Sequence, residues 1–154
     1  MSVTRLATRS DIPRLVELLG ELFSQEREFA PDRTAQTRGL ALLFDRGESA
    51  RIVVAEVSGD VVGMGVLHYS VSTYLGAKVA ILEDVIVAGS QRGNGTGKRL
   101  MAAIIAQARS DGAQRLTLLT DNDNLPARRF YENFGFARST MLPYRLMLPS
   151  TLTV

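Results

Sequence analysis

The sequence predicts a mixed α/β fold, and three observations lead to that prediction. Short apolar runs rich in β-branched residues alternate with segments whose apolar residues recur every three to four positions. A strand, a glycine-rich turn and a helix follow one another directly between residues 81 and 110. The full predicted order, β-α-α-β-β-β-α-β-α-β-β, is typical of a sheet layered against helices.

The first half of the chain is predicted to contain three strands and two helices. Ser10 and Asp11 offer an N-cap for the first helix, and Gly47 closes the second. Apolar strands around the loop Ser58-Gly59-Asp60 indicate a hairpin. The predicted elements are a strand at 3–7, helices over 12–23 and 33–46, and strands over 51–57 and 61–69.

The second half contains the strand–turn–helix unit and a predicted closing hairpin. The predicted elements are a strand from about 78 to 87, a helix ending near 110, a strand at 116–119, a helix over 126–134, and hairpin strands at 136–139 and 144–148. The residues after Pro149 are expected to form a tail. We therefore expect a single domain over 1–149 and a C-terminal tail over 150–154.

Composition excludes several classes of protein. Lys and Arg number 18 against 16 Asp and Glu, a net charge of +2, which does not argue for nucleic acid as a partner. The chain has no cysteine and one histidine, so a thiolate nucleophile, a serine–histidine triad and a zinc site are not expected. No metal is predicted. The absence of a signal-like start or a membrane-spanning run predicts a cytoplasmic protein with no membrane partner.

The stretch from Ile81 to Lys98 suggests a phosphate ligand. Its strand carries two carboxylates, Glu83 and Asp84, that a purely structural strand would avoid. Alternating glycines before a helix let backbone amides approach an anion closely. The spacing fits neither a P-loop nor the Gly-x-Gly-x-x-Gly fingerprint of dinucleotide-binding domains. What it does contain is Arg-x-x-Gly-x-Gly, at Arg92, Gly95 and Gly97.

A second motif lies further along the chain. Residues 124–136 read Asn-x-x-Ala-x-x-Phe-Tyr-x-x-x-Gly-Phe. Together the two motifs resemble those of the GNAT superfamily of acetyl-CoA-dependent N-acetyltransferases, and the resemblance covers essentially the whole chain. It implies a central mixed sheet of about seven strands, splayed between strands 4 and 5 and flanked by four helices. One departure is Gly89, where the family often has proline.

The resemblance also implies which residues bind the coenzyme. The strand before the turn would offer backbone groups to the pantetheine arm, the turn would wrap the pyrophosphate with main-chain amides, and the second motif would lie along the arm. The residues implied to bind acetyl-CoA are Val85, Ile86, Val87, Arg92, Gly93, Asn94, Gly95, Thr96, Gly97, Lys98, Asn124, Ala127 and Arg128.

Two residues are predicted to be catalytic. An alkylammonium has a pKa of about 10, so a carboxylate beside the thioester must take its proton, directly or through water; Glu83 is the candidate. Tyr131 is the candidate acid for the departing thiolate. The strand around Glu83 and Asp84 is similar to that of diamine acetyltransferases, which implies an acceptor site lined by both residues. Either carboxylate can instead be an ordinary surface group at a sheet edge.

Two further carboxylates, Glu26 and Glu28, lie where the resemblance places part of the acceptor pocket. His68 is expected to be a half-buried structural histidine. The sequence thus predicts transfer of an acetyl group from acetyl-CoA to a small primary amine such as a polyamine, an amino sugar or an amino-acid-like molecule. Acetylation of a peptide or protein amine, and a non-catalytic acyl-CoA-binding module, are the alternatives. The resemblance also allows a homodimer.

Overall fold

The computed structural model describes residues 1–26 and 28–149, in two compact units that meet in sequence between Leu119 and Thr120. The helices and strands of the first unit are β1 (Val3–Leu6), α1 (Ile12–Gln25), α2 (Arg33–Asp45), β2 (Ala50–Val57), β3 (Asp60–Ser72), β4 (Ala77–Val87), α3 (Thr96–Ser110) and β5 (Leu116–Leu118). The second unit contains α4 (Leu125–Asn133). The predicted mixed α/β class is confirmed, and the described residues contain one mixed sheet and four α-helices.

The strands form one mixed sheet in the order β1-β2-β3-β4-β5. The first four strands pair antiparallel, and only β4 and β5 are parallel. The β4–β5 ladder is short, because it runs only from the Ala80–Leu116 pair to the Leu82–Leu118 pair. The last five residues of β4 therefore continue beyond the end of β5.

One face of the sheet packs against α1 and α2. Helix α1 turns an apolar stripe inward at the three-to-four-residue spacing that the sequence predicted, and that stripe is almost fully buried. It contacts side chains of alternate residues on the central strands, including Ile52, Val54, Met64, Val66 and Ile86. We call this side of the sheet the α1 face.

The opposite side packs against α3. Side chains alternate along a strand, so Gly63 and Gly65 face away from the α1 face that holds Met64 and Val66. A Cβ built on Gly65 would lie 2.5 Å from Cδ1 of Ile104, closer than real contacts allow. Glycine at this position therefore lets α3 approach the sheet closely. We call this side the α3 face.

A polar network fastens the far end of α3 to the sheet. The carboxylate of Asp111 accepts hydrogen bonds from Arg51 of β2, Tyr69 of β3 and Gln107 of α3 itself. Burial alone would raise the pKa of Asp111, but these hydrogen bonds outweigh that effect and lower it. The helix is thus held at its C-terminus by an ionised carboxylate.

The predicted closing hairpin at 136–139 and 144–148 is wrong. The described residues carry five strands rather than about seven, and none lies between 136 and 149. The large apolar side chains of 141–148 are 72–92% exposed, so no sheet face buries them. An apolar run becomes a strand only where a partner strand takes up its backbone groups.

Candidate active site

A β-bulge in β4 shapes the region around the two acidic residues. Val66 pairs with Glu83 and Met64 pairs with Ile86, so two residues of β4 stand opposite Gly65. One of the two is Asp84, whose φ of 57° lies in the left-handed region. Aspartate tolerates that conformation better than most residues do, which gives a backbone reason for its identity here.

The bulge changes which face each side chain occupies. Before it, Leu82 lies on the α3 face, near the position a Cβ of Gly65 would take. After it, Val87 lies on that face, within reach of a Cβ on Gly63, and Ile86 has moved to the α1 face. Glu83, paired with Val66, lies on the α1 face. Glu83 and Val85 therefore lie on opposite faces of the sheet, because the bulge falls between them.

Glu83 contacts His68, the histidine that the sequence predicts to be structural. Nε2 of His68 lies 3.5 Å from Oε2 of Glu83, and their side chains are 26% and 55% exposed, respectively. His68 pairs with Ile81, two residues before Glu83, so both side chains project from the α1 face. The prediction of a half-buried histidine is confirmed. Its carboxylate partner stands 15 positions away on another strand, and no local pattern could have indicated it.

Asp84 is half-buried, whereas its neighbour Glu83 is exposed. The pKa of its carboxyl is raised from 3.8 to about 6, mainly by burial and also by the nearby charge of Glu83, while His68 opposes the change. The carboxyl therefore titrates near neutrality. A carboxyl group with that property, next to a solvent-accessible glutamate, is a common feature of catalytic and binding sites.

The acidic pair lies where the ladder between β4 and β5 ends. The last β4 residue paired with β5 is Leu82, directly before Glu83. From Glu83 to Val87, no β5 residue pairs with β4 on that side. An extended ligand can therefore add to this edge by main-chain hydrogen bonds. Val85, Ile86 and Val87, predicted to bind the pantetheine arm, belong to this segment.

The glycine turn leads from β4 to the start of α3. A 3-10 turn at Gly89–Gln91 is followed by Gly93 and Gly95, whose φ angles of 84° and 77° lie in the left-handed region that glycine adopts without strain. The first amide bonded along the helix is that of Arg99, which donates to the carbonyl of Gly95. The first-turn amides of Thr96, Gly97 and Lys98 precede it, and such amides have no partner within a helix.

A side chain of α3 braces this turn. The guanidinium of Arg99 donates to Oγ of Ser2 at 2.7 Å and to the carbonyl oxygen of Asn94 at 2.9 Å. The bond turns that carbonyl toward Arg99 and fixes the peptide between the two positive-φ glycines. Arg99 thus supports the turn through its backbone.

The second unit carries the residues of the other motif on α4. Asn124 is the N-cap, and its Oδ1 accepts from the amide of Ala127 at 3.2 Å. Arg128 donates to the carbonyl of Asn122 at 3.0 Å. Tyr131 is half-buried, with its ring edge-on to Phe130 and Phe136 at centroid distances of 5.5 and 5.8 Å. These contacts fix the position of the phenol within its own unit.

The remaining predicted residues lie in the segment after α1. Glu26 is half-buried at the C-cap of α1, and Glu28 is exposed. Within the described ranges, no group of three or more His, Cys, Asp or Glu side chains could hold a metal ion. The same residues include no helix long and apolar enough to cross a membrane.

Comparison with known proteins identifies the class. The model of the acetyltransferase (GNAT) family matches residues 12–136. An uncharacterized N-acetyltransferase of Bacillus subtilis (strain 168), YhfO, is 33% identical, over 86% of this chain and 91% of its own length. A glucosamine 6-phosphate N-acetyltransferase of Trypanosoma brucei brucei is 31% identical, over 86% of each chain. A crystal structure of a possible acetyltransferase from Clostridium difficile 630 has the same fold, with a TM-score of 0.86 over 97% of this chain and 99% of the other at 17% identity.

The fold and these matches define an acyltransferase. The chain belongs to the GNAT family of acetyltransferases, whose members use acetyl-CoA. The family resemblance inferred from the two motifs is thereby confirmed.

Proposed function

We propose that the enzyme transfers an acetyl group from acetyl-CoA to the primary amine of a small molecule by direct attack on the thioester. The observation that carries the proposal is the bulge at Asp84. It places an exposed glutamate and a half-buried aspartate next to each other, where the ladder of β4 with β5 ends. Both carboxylates suit a cationic amine at the point where an extended donor would reach the sheet.

Binding of the donor is assigned to main-chain groups. The amides of the turn over 92–98 hold the diphosphate, because backbone N–H groups at a helix start favour anions and carry no titratable proton. Backbone groups of Val85–Val87 hold the pantetheine arm along the open edge. Asn124, Ala127 and Arg128 are proposed to line the same arm.

Glu83 is proposed as the general base. An alkylammonium has a pKa of roughly 10, so the amine is mostly protonated at neutral pH and has no lone pair to donate. The partly exposed carboxylate of Glu83 accepts that proton, directly or through a water molecule, and His68 orients it. Asp84 and the acidic residues Glu26 and Glu28 favour the cationic form of the acceptor during binding.

The transfer itself balances as follows. The amine nitrogen forms a bond to the carbonyl carbon, and the negative charge that develops on the oxygen is met by a backbone amide within Val85–Val87. The carbon–sulfur bond then breaks. The sulfur leaves as a thiolate, of pKa about 8.5 by analogy with cysteine, and Tyr131 supplies its proton. The nitrogen, which bears a positive charge after the attack, loses its second proton to solvent, and solvent returns a proton to the Tyr131 phenolate. The products are an N-acetyl amide and free coenzyme A.

A small acceptor is favoured over a peptide. The relative from Trypanosoma brucei brucei is named for glucosamine 6-phosphate, a small phosphorylated amine. The acidic cluster at the bulge recognises an isolated ammonium group and requires no extended main chain. Acetylation of a peptide or protein amine is the alternative that the assay below separates.

Release of free thiol from acetyl-CoA in the presence of an amine panel tests the proposal. The panel contains a polyamine, an amino sugar with and without phosphate, an amino acid, and peptides with a free N-terminus or a lysine. We expect amine-dependent thiol release with at least one small amine and none with the peptides. Glu83→Gln should abolish most of it, while Glu48→Gln, at the exposed turn before β2, should not. Turnover with peptides alone would overturn the assignment of the acceptor.

A further inference from the structure

Glu21 of α1 contacts the segment that leads into the glycine turn. Its Oε1 accepts a hydrogen bond from the amide of Gly89 at 2.8 Å and lies 3.5 Å from Nη2 of Arg92. A Cβ built on Gly89 would stand 3.1 Å from the same oxygen, so glycine provides both the donor and the room for this contact. Proline at this position would have no N–H to donate.

Arg92 completes the link back to the sheet. Its Nε donates to the carbonyl oxygen of Val87, the last residue of β4, at 3.2 Å. The guanidinium thus lies between the end of β4 and the carboxylate of Glu21. Together, Glu21 and Arg92 connect α1, the end of β4 and the start of the turn.

The carboxylate of Glu21 exerts two opposing effects on a diphosphate bound at the turn. Its hydrogen bond to Gly89 holds the segment from which the amides are presented, which favours binding. Its negative charge lies close to the incoming anion and also occupies Arg92, which disfavours binding. The Glu21 and Arg92 side chains are 37% and 50% exposed, so the charge effect is moderated by solvent.

We infer that Glu21 is a positioning residue for the coenzyme turn. It anchors Gly89 through a hydrogen bond, and it pairs with Arg92 until the diphosphate of the coenzyme takes its place. This inference rests on the proposed function. Arg92 therefore has an anionic partner both with and without the coenzyme, so breaking its pair with Glu21 costs little free energy when the diphosphate binds. It also means that the two effects of Glu21 are separable by substitution.

The two substitutions of Glu21 are expected to change the affinity for acetyl-CoA in opposite directions. Glu21→Gln keeps an oxygen that can accept from the amide of Gly89 and removes the charge, so acetyl-CoA should bind roughly two- to fivefold more tightly, the size expected for a partly exposed ion pair. Glu21→Ala removes both. A hydrogen bond to a charged carboxylate contributes more than a partly exposed ion pair, so the net result should be binding roughly three- to tenfold weaker than in the wild type. A contribution to folding alone would give both variants the same sign.

Titration calorimetry with acetyl-CoA at low and high ionic strength measures these dissociation constants. The matched control is Glu17→Gln on the same helix, whose carboxylate pairs with Arg14 at 2.8 Å; its dissociation constant should equal that of the wild type. The gain in Glu21→Gln should disappear in an Arg92→Met background and shrink at high salt. In steady-state assays, KM for acetyl-CoA should move and kcat should stay within about twofold, as expected for a change in uniform binding.

The outcomes separate this inference from the proposed function. If the wild type takes up no acetyl-CoA, both are overturned. If the wild type binds but the two Glu21 variants shift in the same direction, or either one matches the wild type, only the role of Glu21 is overturned. Glu21→Gln preserves the hydrogen bond and the packing, so its dissociation constant decides the matter even if Glu21→Ala does not fold.

Discussion

Nε2 of His68 lies 3.5 Å from Oε2 of Glu83, across the neighbouring strands β3 and β4 on the α1 face of the sheet. The pair joins the single histidine of the chain to the proposed general base.

The His68–Glu83 contact should appear as coupling in a double-mutant cycle. Glu83→Gln is expected to lower kcat by about 10²–10⁴-fold, the range for loss of a general base. His68→Gln should lower kcat only about two- to fivefold, because a polar contact between partly exposed side chains contributes little. In the Glu83→Gln background the histidine substitution should have no further effect. Additive losses in steady-state kinetics would show that His68 acts independently of Glu83.

Asp84 should make stability depend on pH. Its pKa is raised to about 6, mainly by burial and also by the charge of Glu83, so ionising it above that pH destabilises the folded protein and protonating it removes that cost. Relative to Asp84→Asn, the wild type should be least stable above pH 6 and should recover as the pH falls from 6 to 4. The difference between 3.8 and about 6 corresponds to at most ~3 kcal/mol.

Urea unfolding at pH 7.5, 5.0 and 4.0 measures this recovery. Asparagine also tolerates positive φ, so the substitution keeps the bulge. Asp60→Asn, at the exposed start of β3, is the matched control for loss of one carboxylate. If the difference in the free energy of unfolding between the wild type and Asp84→Asn stays constant over this pH range, the raised pKa of Asp84 is contradicted.

Gly95→Ala should weaken coenzyme binding more than its cost in stability explains. Gly95 and Gly112 flank α3 and have φ angles of 77° and 90°, so alanine is strained at each by roughly 1–2 kcal/mol. Only Gly95 lies within the turn, so its variant should bind acetyl-CoA about tenfold more weakly, or worse, while Gly112→Ala binds normally. Calorimetry and thermal melting of both variants separate the two effects. Equal binding by both would remove the turn from the coenzyme site.

Tyr131→Phe should reduce turnover and leave acetyl-CoA binding unchanged. Loss of a general acid costs about 10²–10⁴-fold in rate, and removal of one hydroxyl keeps the ring packing with Phe130 and Phe136. Tyr74→Phe, at a tyrosine that is 92% exposed, is the control. Stopped-flow thiol release under saturating substrate measures the step, and a kcat equal to that of the wild type would exclude Tyr131 from the mechanism.

Features that depend on neighbouring residues were predictable from the sequence. The strand–turn–helix unit from Ile81 to Ser110 follows from apolar periodicity and glycine spacing, and the structure forms β4, the turn and α3 there. The parallel β4–β5 pair and the helical layers agree with the element order. The prediction of the closing hairpin is wrong, because apolar periodicity indicates which residues could form a strand but does not show that a partner strand is available.

Features that depend on register were not predictable. The family resemblance implies a bulge in this strand, but its exact position requires knowledge of which residue of β3 stands opposite Glu83. Glu21 meets Gly89 across 68 positions, and His68 meets Glu83 through the pairing of two strands. Such contacts are specified by tertiary packing, which carries no local pattern.

The bulge has a consequence for how this chain could lose its activity. Both flanks of β4 are regularly paired with β3, and one extra residue separates them. Deletion of a single codon at Asp84 would restore an ordinary ladder and leave the sheet, its helices and the glycine turn intact. We expect a folded protein with reduced acetyl transfer, so the proposed chemistry depends on the length of β4 at this position as well as on its side chains.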